Sequence, residues 1–168
     1  MTVEERQLSG KYRVRRLNKI DTDHILALCV KNELFYQYHP PLADRESILK
    51  DMSAFPPGKT EEDKFYVGFY REERLTAVLD LILSYPQKQT AYIGFFMMDI
   101  SCQGQGIGSC IIADIAACLK SYGFEKIRLA VDEGNPQSEC FWRKNHFVRT
   151  GERIPNDFSA YLPMEREL

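Results

Sequence analysis

The sequence has little of what marks a specialised architecture. Its five cysteines, Cys29, Cys102, Cys110, Cys118 and Cys140, include no C-x-x-C pair, and its three histidines, His24, His39 and His146, are scattered without ligand spacing. Neither a disulfide framework nor a metal site is expected. Cys102 falls in a predicted loop and reads as a packed or merely exposed cysteine rather than a reactive thiol. No apolar run approaches the ~20 residues of a membrane helix, and the opening MTVEERQLSG lacks the apolar stretch of a signal peptide, so the cytoplasm is the expected location. An excess of one charge is missing too. With 22 Lys and Arg against 24 Asp and Glu, the formal net charge is -2, which gives no long-range attraction for phosphate backbones or anionic lipid. Nucleic acid and membrane partners are not expected. The one basic cluster, Lys11, Arg13, Arg15 and Arg16, is offset along a predicted strand and reads as a solvated face. Repeats are absent, and the only linker-like stretch, FPPGKTEED from Phe55 to Asp63, is too short to divide the chain. A single domain over residues 1–168, with one core, is expected.

What is present alternates between two periods. Tyr12 to Leu17 reads as a strand, followed by a helix capped by Asp21 or Thr22 with Ile25, Leu28 and Cys29 on one face. Asp44 caps a second helix, with Ile48, Leu49, Met52 and Phe55 at helical spacing, which Pro56, Pro57 and Gly58 stop. From Lys64 to about Met98 the residues suit three consecutive antiparallel strands. The helical period then returns: Ile107, Ile111, Ile115 and Leu119 fall one turn apart, and Gly123 before Phe124 makes a left-handed stop. Lys126 to Val131 reads as a buried strand, and NPQSECFWRKN as a helix with Asn135 as its cap. Two closing strands, Phe147 to Ile154 and Phe158 to about Arg166, complete the chain. The second is polar enough to be expected at an edge or an interface, and as a terminal strand it could pair with its copy in a homodimer.

The segment DISCQGQGIGSC carries the chemistry. Gln103, Gly104, Gln105, Gly106, Ile107, Gly108 and Ser109 turn tightly into a helix N-terminus, where first-turn N–H groups lack partners and the helix dipole adds positive potential. Glycines let a pyrophosphate approach such a backbone without a clashing Cβ, so a phosphate-bearing cosubstrate is the physical reading. A Walker loop requires a Gly-Lys-Ser/Thr run that is absent, and a dinucleotide G-x-G-x-x-G starting at Gly104 would need glycine where Ser109 stands. Glycines that only shape a turn remain an alternative.

The order Gln103, Gly106, Gly108 resembles Q/R-x-x-G-x-G/A, the acetyl-CoA motif of the GCN5-related N-acetyltransferase (GNAT) family. Asn135, Ser138, Trp142, Lys144, His146 and Phe147 resemble that family's next block, N-x-x-A/S-x-x-x-Y-x-K-x-G-F. The likeness is strong over about residues 90–150 and weakest in the first two helices. It implies the α/β GNAT fold: a mixed, mostly antiparallel sheet of about seven strands, with flanking helices and a V-shaped splay between strands 4 and 5. It also implies acetyl-CoA as cosubstrate, with its pyrophosphate on the amides of Gly104 to Ser109 and its pantetheine arm on the backbone of Met98 and Ile100. Asn135 either bonds the pantetheine or only caps its helix, Ser138 stands at the matching motif position, and Lys144 either reaches a CoA phosphate or is an exposed lysine near a helix end that only complements the dipole.

The implied acceptor is an amine of a small molecule or peptide. An alkyl amine with a pKa near ~10 is mostly protonated at neutral pH, so direct attack on the acetyl group needs a base or a water relay. Asp80, which interrupts the run AVLDLIL on the strand face expected to hold Thr76 and Ser84, is the first carboxylate to consider, with bonding of a loop backbone or passive binding of a cationic substrate as its alternatives. The Met98 N–H is the expected oxyanion donor. Trp142 stands where the family has a tyrosine acid, and indole is no acid near neutral pH, so a binding module without turnover stays open as a second reading. His146 replaces a glycine, which leaves Asn145 or His146 to take the left-handed helix stop. In the aromatic run Phe35, Tyr36, Tyr38 and His39, core or lid packing is favoured over substrate contact.

Overall fold

The computed structural model describes residues 3–168. The strands are β1 (Arg13–Arg16), β2 (Lys64–Arg71), β3 (Arg74–Ile82), β4 (Thr90–Met98), β5 (Lys126–Asp132), β6 (Val148–Arg149), β7 (Ile154–Pro155) and β8 (Ala160–Glu167). The helices are α1 (Thr22–Cys29), α2 (Glu33–Tyr38), α3 (Arg45–Ser53), α4 (Ile107–Ser121) and α5 (Pro136–Lys144). The strands form one sheet in the order β1-β2-β3-β4-β5-β8-β6, with β7 also pairing β8. Every pairing is antiparallel except β4 with β5.

Helices cover both faces, as the alternating sequence requires. Ile111, Ile115 and Leu119 of α4 are fully buried against Phe65, Val67, Leu79, Leu81 and Ile93 on one face. On the other, Ile25, Leu28 and Cys29 of α1 and Ile48 of α3 pack on Tyr66, Tyr70, Val78 and Met97. The ends of α4 and α5 follow the chain's chemistry. Gly123 is left-handed at φ +84°, and the Phe124 N–H closes back on the Leu119 carbonyl at 3.1 Å. His146 takes the same role after α5 at φ +68°, with the Phe147 N–H on the Trp142 carbonyl at 3.0 Å. Asp44 caps α3 through the Ser47 N–H. Asp21 precedes α1, but its carboxylate is held by the Arg15 guanidinium and the Asn18 N–H instead of capping.

The closing strands depart from expectation in two ways. The stretch from Phe147 to Ile154 forms two separate two-residue strands rather than one. The last strand is not an edge: β8 lies between β5 and β6, with Ala160, Leu162 and Met164 buried. Its polar residues are tied sideways, Glu165 to Arg128 and Lys126, which explains how a polar strand sits inside a sheet. It is paired to β5 along most of its length and to β6 and β7 at Met164, Glu165, Ala160 and Tyr161, so it is not a free edge strand. Thr76 is a third correction. A register shift between Phe69 and Tyr70 breaks the alternation of β3, and Thr76 borders a hollow with Cys102 and Ile107 on the α4 side, away from Asp80.

Two features shape the centre of the sheet. β4 and β5 pair only over Thr90 to Tyr92 with Lys126 to Arg128, and beyond those residues they part. Immediately after Tyr92 the β3–β4 register slips, so that Asp80 faces Phe95 while Leu81 faces Ile93, leaving Gly94 as the extra residue of a bulge. A bulge bends its strand and raises its twist, which turns β4 away from β5 where the pairing ends. β5 meanwhile stays paired to β8 along all its residues from Lys126 to Asp132.

Candidate functional site

The parting of β4 from β5 leaves backbone groups without a ladder partner. The Asp99 N–H bonds the Thr76 carbonyl at 2.8 Å, and antiparallel bonding alternates, so Met97 and Phe95 also face β3. Phe96 and Met98 therefore direct their N–H and C=O groups into the splay. The Met98 carbonyl is taken up by the side-chain amides of Asn32 at 3.1 Å and Gln103 at 3.2 Å. Its N–H remains directed into the opening. Ile100 does not extend β4; it begins a single turn of 3-10 helix whose carbonyl accepts the Gln103 N–H.

The glycine loop lies beside this opening. Gly104 and Gly106 are left-handed at φ +73° and +77°, a region that costs an L residue energy. Gly106 is the N-cap of α4 and no side chain caps the helix, while the first intrahelical bond joins the Cys110 N–H to the Gly106 carbonyl at 3.0 Å. The N–H groups of Ile107, Gly108 and Ser109 are thus open at the positive end of a 15-residue helix. Gly108 answers to a different constraint: a Cβ there would stand 3.1 Å and 3.3 Å from ring carbons of Phe141, so glycine lets α4 lie against α5. The Gln103 amide also donates to Asn32 Oδ1 at 2.7 Å, joining the loop to the residue before α2. Gln105 folds back onto the Ser101 carbonyl, and Ser109 Oγ accepts from Asn145.

These elements enclose a cavity of about 280 Å³, lined among others by Asn32, Met98, Gln103, Gly106, Ser138 and Lys144. Lys144 is exposed in the last turn of α5. Asn135 is buried outside this lining, with its side chain accepting from the Ser138 N–H and donating to Ser138 Oγ. Open helix amides, glycines without side chains and an unpaired strand backbone fit a pyrophosphate with an extended amide-bearing arm.

A second cavity, of about 220 Å³, opens on the other side of the splay, lined by residues that include His39, Gly94, Ala130, Asp132 and Tyr161. The two cavities share Phe35, Phe96, Ser138 and Trp142. Trp142, 7% exposed, packs against Phe96, Phe141 and Phe147 with ring centroids 4.9 to 5.9 Å apart. A wider groove of about 540 Å³ continues past Tyr92, Gly94 and Tyr161 to Asp80, Phe55 and Ile154.

The charged groups on this side come in pairs. Asp80 receives the Lys64 ammonium on both oxygens at 2.7 Å, with the two side chains only 14% and 4% exposed. Burial pushes the Asp80 carboxyl up, and the Lys64 charge pulls it part of the way back. Gly94 lies over this pair, since a Cβ there would stand 3.1 Å from Asp80 Oδ2. His39 Nδ1 lies 3.1 Å from both oxygens of Asp132, and that hydrogen bond raises the imidazole above its ordinary value against the effect of burial. Sequence reasoning missed His39 as a polar site residue, together with Asp132 and Asn32. The only signal was position: Asp132 ends a buried strand, and His39 follows Phe35 by one helical turn.

The chain matches the Acetyltransferase (GNAT) family over residues 27–147. No curated protein matches it in sequence. Among solved structures it is similar to an acetyltransferase from Thermus thermophilus, at 17% identity and a TM-score of 0.74 over 94% of this chain and 97% of that one. It is also similar to the PaiA N-acetyltransferase of Thermoplasma acidophilum in complex with coenzyme A, at 16% identity and a TM-score of 0.68 over 94% and 99% of the two chains. A phosphinothricin acetyltransferase from Sinorhizobium meliloti in complex with AcCoA aligns at 14% identity and a TM-score of 0.66, over 94% of this chain and 89% of that one. No helix among the described residues is long and apolar enough to cross a membrane.

Proposed function

This chain belongs to the GNAT acetyltransferase family, and from that membership we propose that it transfers the acetyl group of acetyl-CoA to a primary amine of a small molecule or peptide by direct attack. The observation that carries the reading is the pair of cavities meeting across the splay at Phe35, Phe96, Ser138 and Trp142. One has open helix amides for an anion, and the other has one carboxylate, Asp132, with His39 bonded to it, on the side where an amine acceptor would enter. Residues 1–168 act as a single acetyltransferase domain.

Acetyl-CoA supplies an activated acetyl thioester. The amides of Ile107, Gly108 and Ser109 bind its pyrophosphate, with Gly104, Gln105 and Gly106 shaping the loop and Gln103 fixing it to Asn32 and Met98. Lys144 adds positive charge at the rim. The pantetheine arm runs along the splayed edge of β4 at Phe96, since the Met98 carbonyl is already bonded and Ile100 has left the strand; Ser138 stands where the cavities join, and Asn135 secures the first turn of α5 that presents it. The Met98 N–H, directed into the splay, steadies negative charge as it develops on the carbonyl oxygen. The leaving thiolate needs no acid of its own, because a thiol pKa near ~8.5 lets solvent protonate it, and Trp142 instead closes the junction against bulk water.

Calorimetric titration with CoA, joined to a free-thiol assay over amines, polyamines, amino acids and peptides, tests the proposal. Binding together with thiol release from at least one acceptor supports it. A second reading, an acyl-CoA-binding module without turnover, is favoured by Trp142 standing where a proton donor is usual; binding without release under every acceptor selects it. Absence of binding defeats both.

A further inference from the structure

We infer that His39, oriented by Asp132, is the base that takes the proton from the acceptor amine. The inference rests on the amine-acetyltransferase reading above and assigns its acceptor-side chemistry.

His39 follows the last residue of α2, one turn after Phe35, and Phe35 borders both cavities. The imidazole lies 5.2 Å from the Phe35 ring and 6.3 Å from that of Tyr161, so neighbours fix it from two sides. A carboxylate only accepts, so Nδ1 donates to Asp132 and the Nε2 lone pair stays free. Asp132 is 9% exposed at the end of β5, where the splay brings it to the acceptor cavity, while the His39 side chain is 44% exposed and reachable by a ligand. The groups that face the ring are Asp132 from β5, Tyr161 from β8 and, through its charge, Asp51 from α3. Both charged ones are carboxylates, which favour the imidazolium that forms on proton uptake. Asp80 offers no comparable site, because accepting a proton there gives up charge-assisted bonds from Lys64 to both oxygens.

In the transfer, the neutral amine nitrogen bonds to the acetyl carbonyl carbon and its proton passes to His39 Nε2. The carbon–sulfur bond breaks, the thiolate leaves with the electron pair and takes a proton from solvent, and the imidazolium returns its proton to solvent. Asp132 is a positioning residue, since it acts only through the ring.

The test is the pH dependence of kcat for thiol release, with the best acceptor of the panel, in the unsubstituted protein, His39→Gln, Asp132→Asn and Asp80→Asn. Reading kcat keeps the free amine's own ionisation out of the profile. The unsubstituted protein should gain rate with pH through a midpoint above 6.5, the ordinary imidazole value. His39→Gln should lose about 10²- to 10⁴-fold in kcat together with that acid limb. Asp132→Asn should keep the limb but move it to lower pH, because the imidazolium has lost its carboxylate. Unchanged thermal protection by CoA in each variant confirms the fold. The inference is overturned if His39→Gln keeps rate and limb, or if the limb disappears in Asp80→Asn and persists in His39→Gln. An unsubstituted protein that releases no thiol with any amine defeats the acetyltransferase reading and this inference with it. An active protein indifferent to His39→Gln defeats only the latter.

Discussion

Replacing Gly106 by alanine separates what the glycine loop does for the cosubstrate from what it does for packing. A Cβ at Gly106 would meet nothing within 4 Å, so steric crowding contributes nothing. The cost is conformational: at φ +77° an L residue is about 1–2 kcal/mol less stable than in its preferred regions. For a chain of this size each kcal/mol is about 2–4 °C in Tm, so the strained loop predicts a melting point lower by roughly 2–8 °C. If the loop instead relaxes to a negative φ, stability returns, but the N–H groups of Ile107 to Ser109 no longer converge. A hydrogen bond to a charged group contributes about 1.5–3 kcal/mol, so losing one weakens CoA by about 10- to 100-fold. Thermal melting with and without CoA, joined to calorimetric titration, resolves the two outcomes. Gly108→Ala should behave differently, since its Cβ meets the Phe141 ring at 3.1 Å in ordinary helical geometry; overpacking there costs about 1–3 kcal/mol. A Gly106→Ala protein that melts and binds CoA as the parent does would refute the argument that the left-handed turn aims those amides.

Other outcomes follow from the buried pairs. Lys64→Met should cost about 3–5 kcal/mol in urea unfolding by leaving Asp80 without its partner, and Lys64→Met with Asp80→Leu should recover most of that loss. Asn32→Ala removes a donor to both the Leu28 and Met98 carbonyls and an acceptor for Gln103; a loss of about 1–3 kcal/mol of stability with weaker CoA protection is expected. Because His39 has a raised folded value, its contribution is full below 6.5 and fades as pH rises through that higher value. The stability gap between the parent and His39→Gln should therefore be widest near pH 6 and close in alkali, and at about 1 kcal/mol or less, because the ring is open to solvent.

Much of the fold was legible because its signals are local. Ile111, Ile115 and Leu119 recur about one helical turn apart, Gly123 supplies a positive φ, and Asn135 with Pro136 writes a helix start into two letters. The turn from Gln103 to Ser109 into α4 was legible for the same reason, since its glycines and the open amides of the helix start lie within one stretch of chain. The cavity on the other side of the splay was not. His39 and Asp132 are 93 residues apart, and neither belongs to a local pattern that predicts their hydrogen bond. Lys64 and Asp80 meet only through the register of β2 with β3. Strand β8 read as an edge because its polar residues stood alone in the sequence, while Lys126 and Arg128, which answer them, belong to β5.

The bulge at Gly94 links these separate facts. A bulge bends its strand, and this one falls where the pairing of β4 with β5 ends. Here Gly94 and Phe95 both turn toward the face of Asp80 and Phe35 while Ile93 and Phe96 stay with the α4 core, and the slip falls just after the last pairing with β5 at Tyr92. Glycine serves the place because a Cβ would press on the Asp80 carboxylate at 3.1 Å. One extra residue in one strand thus goes with an unladdered Phe96 and Met98 backbone and with two cavities that meet across the splay. Sequence alternation alone could not have shown it, since the run TAYIGFFMM reads equally well as an unbroken strand.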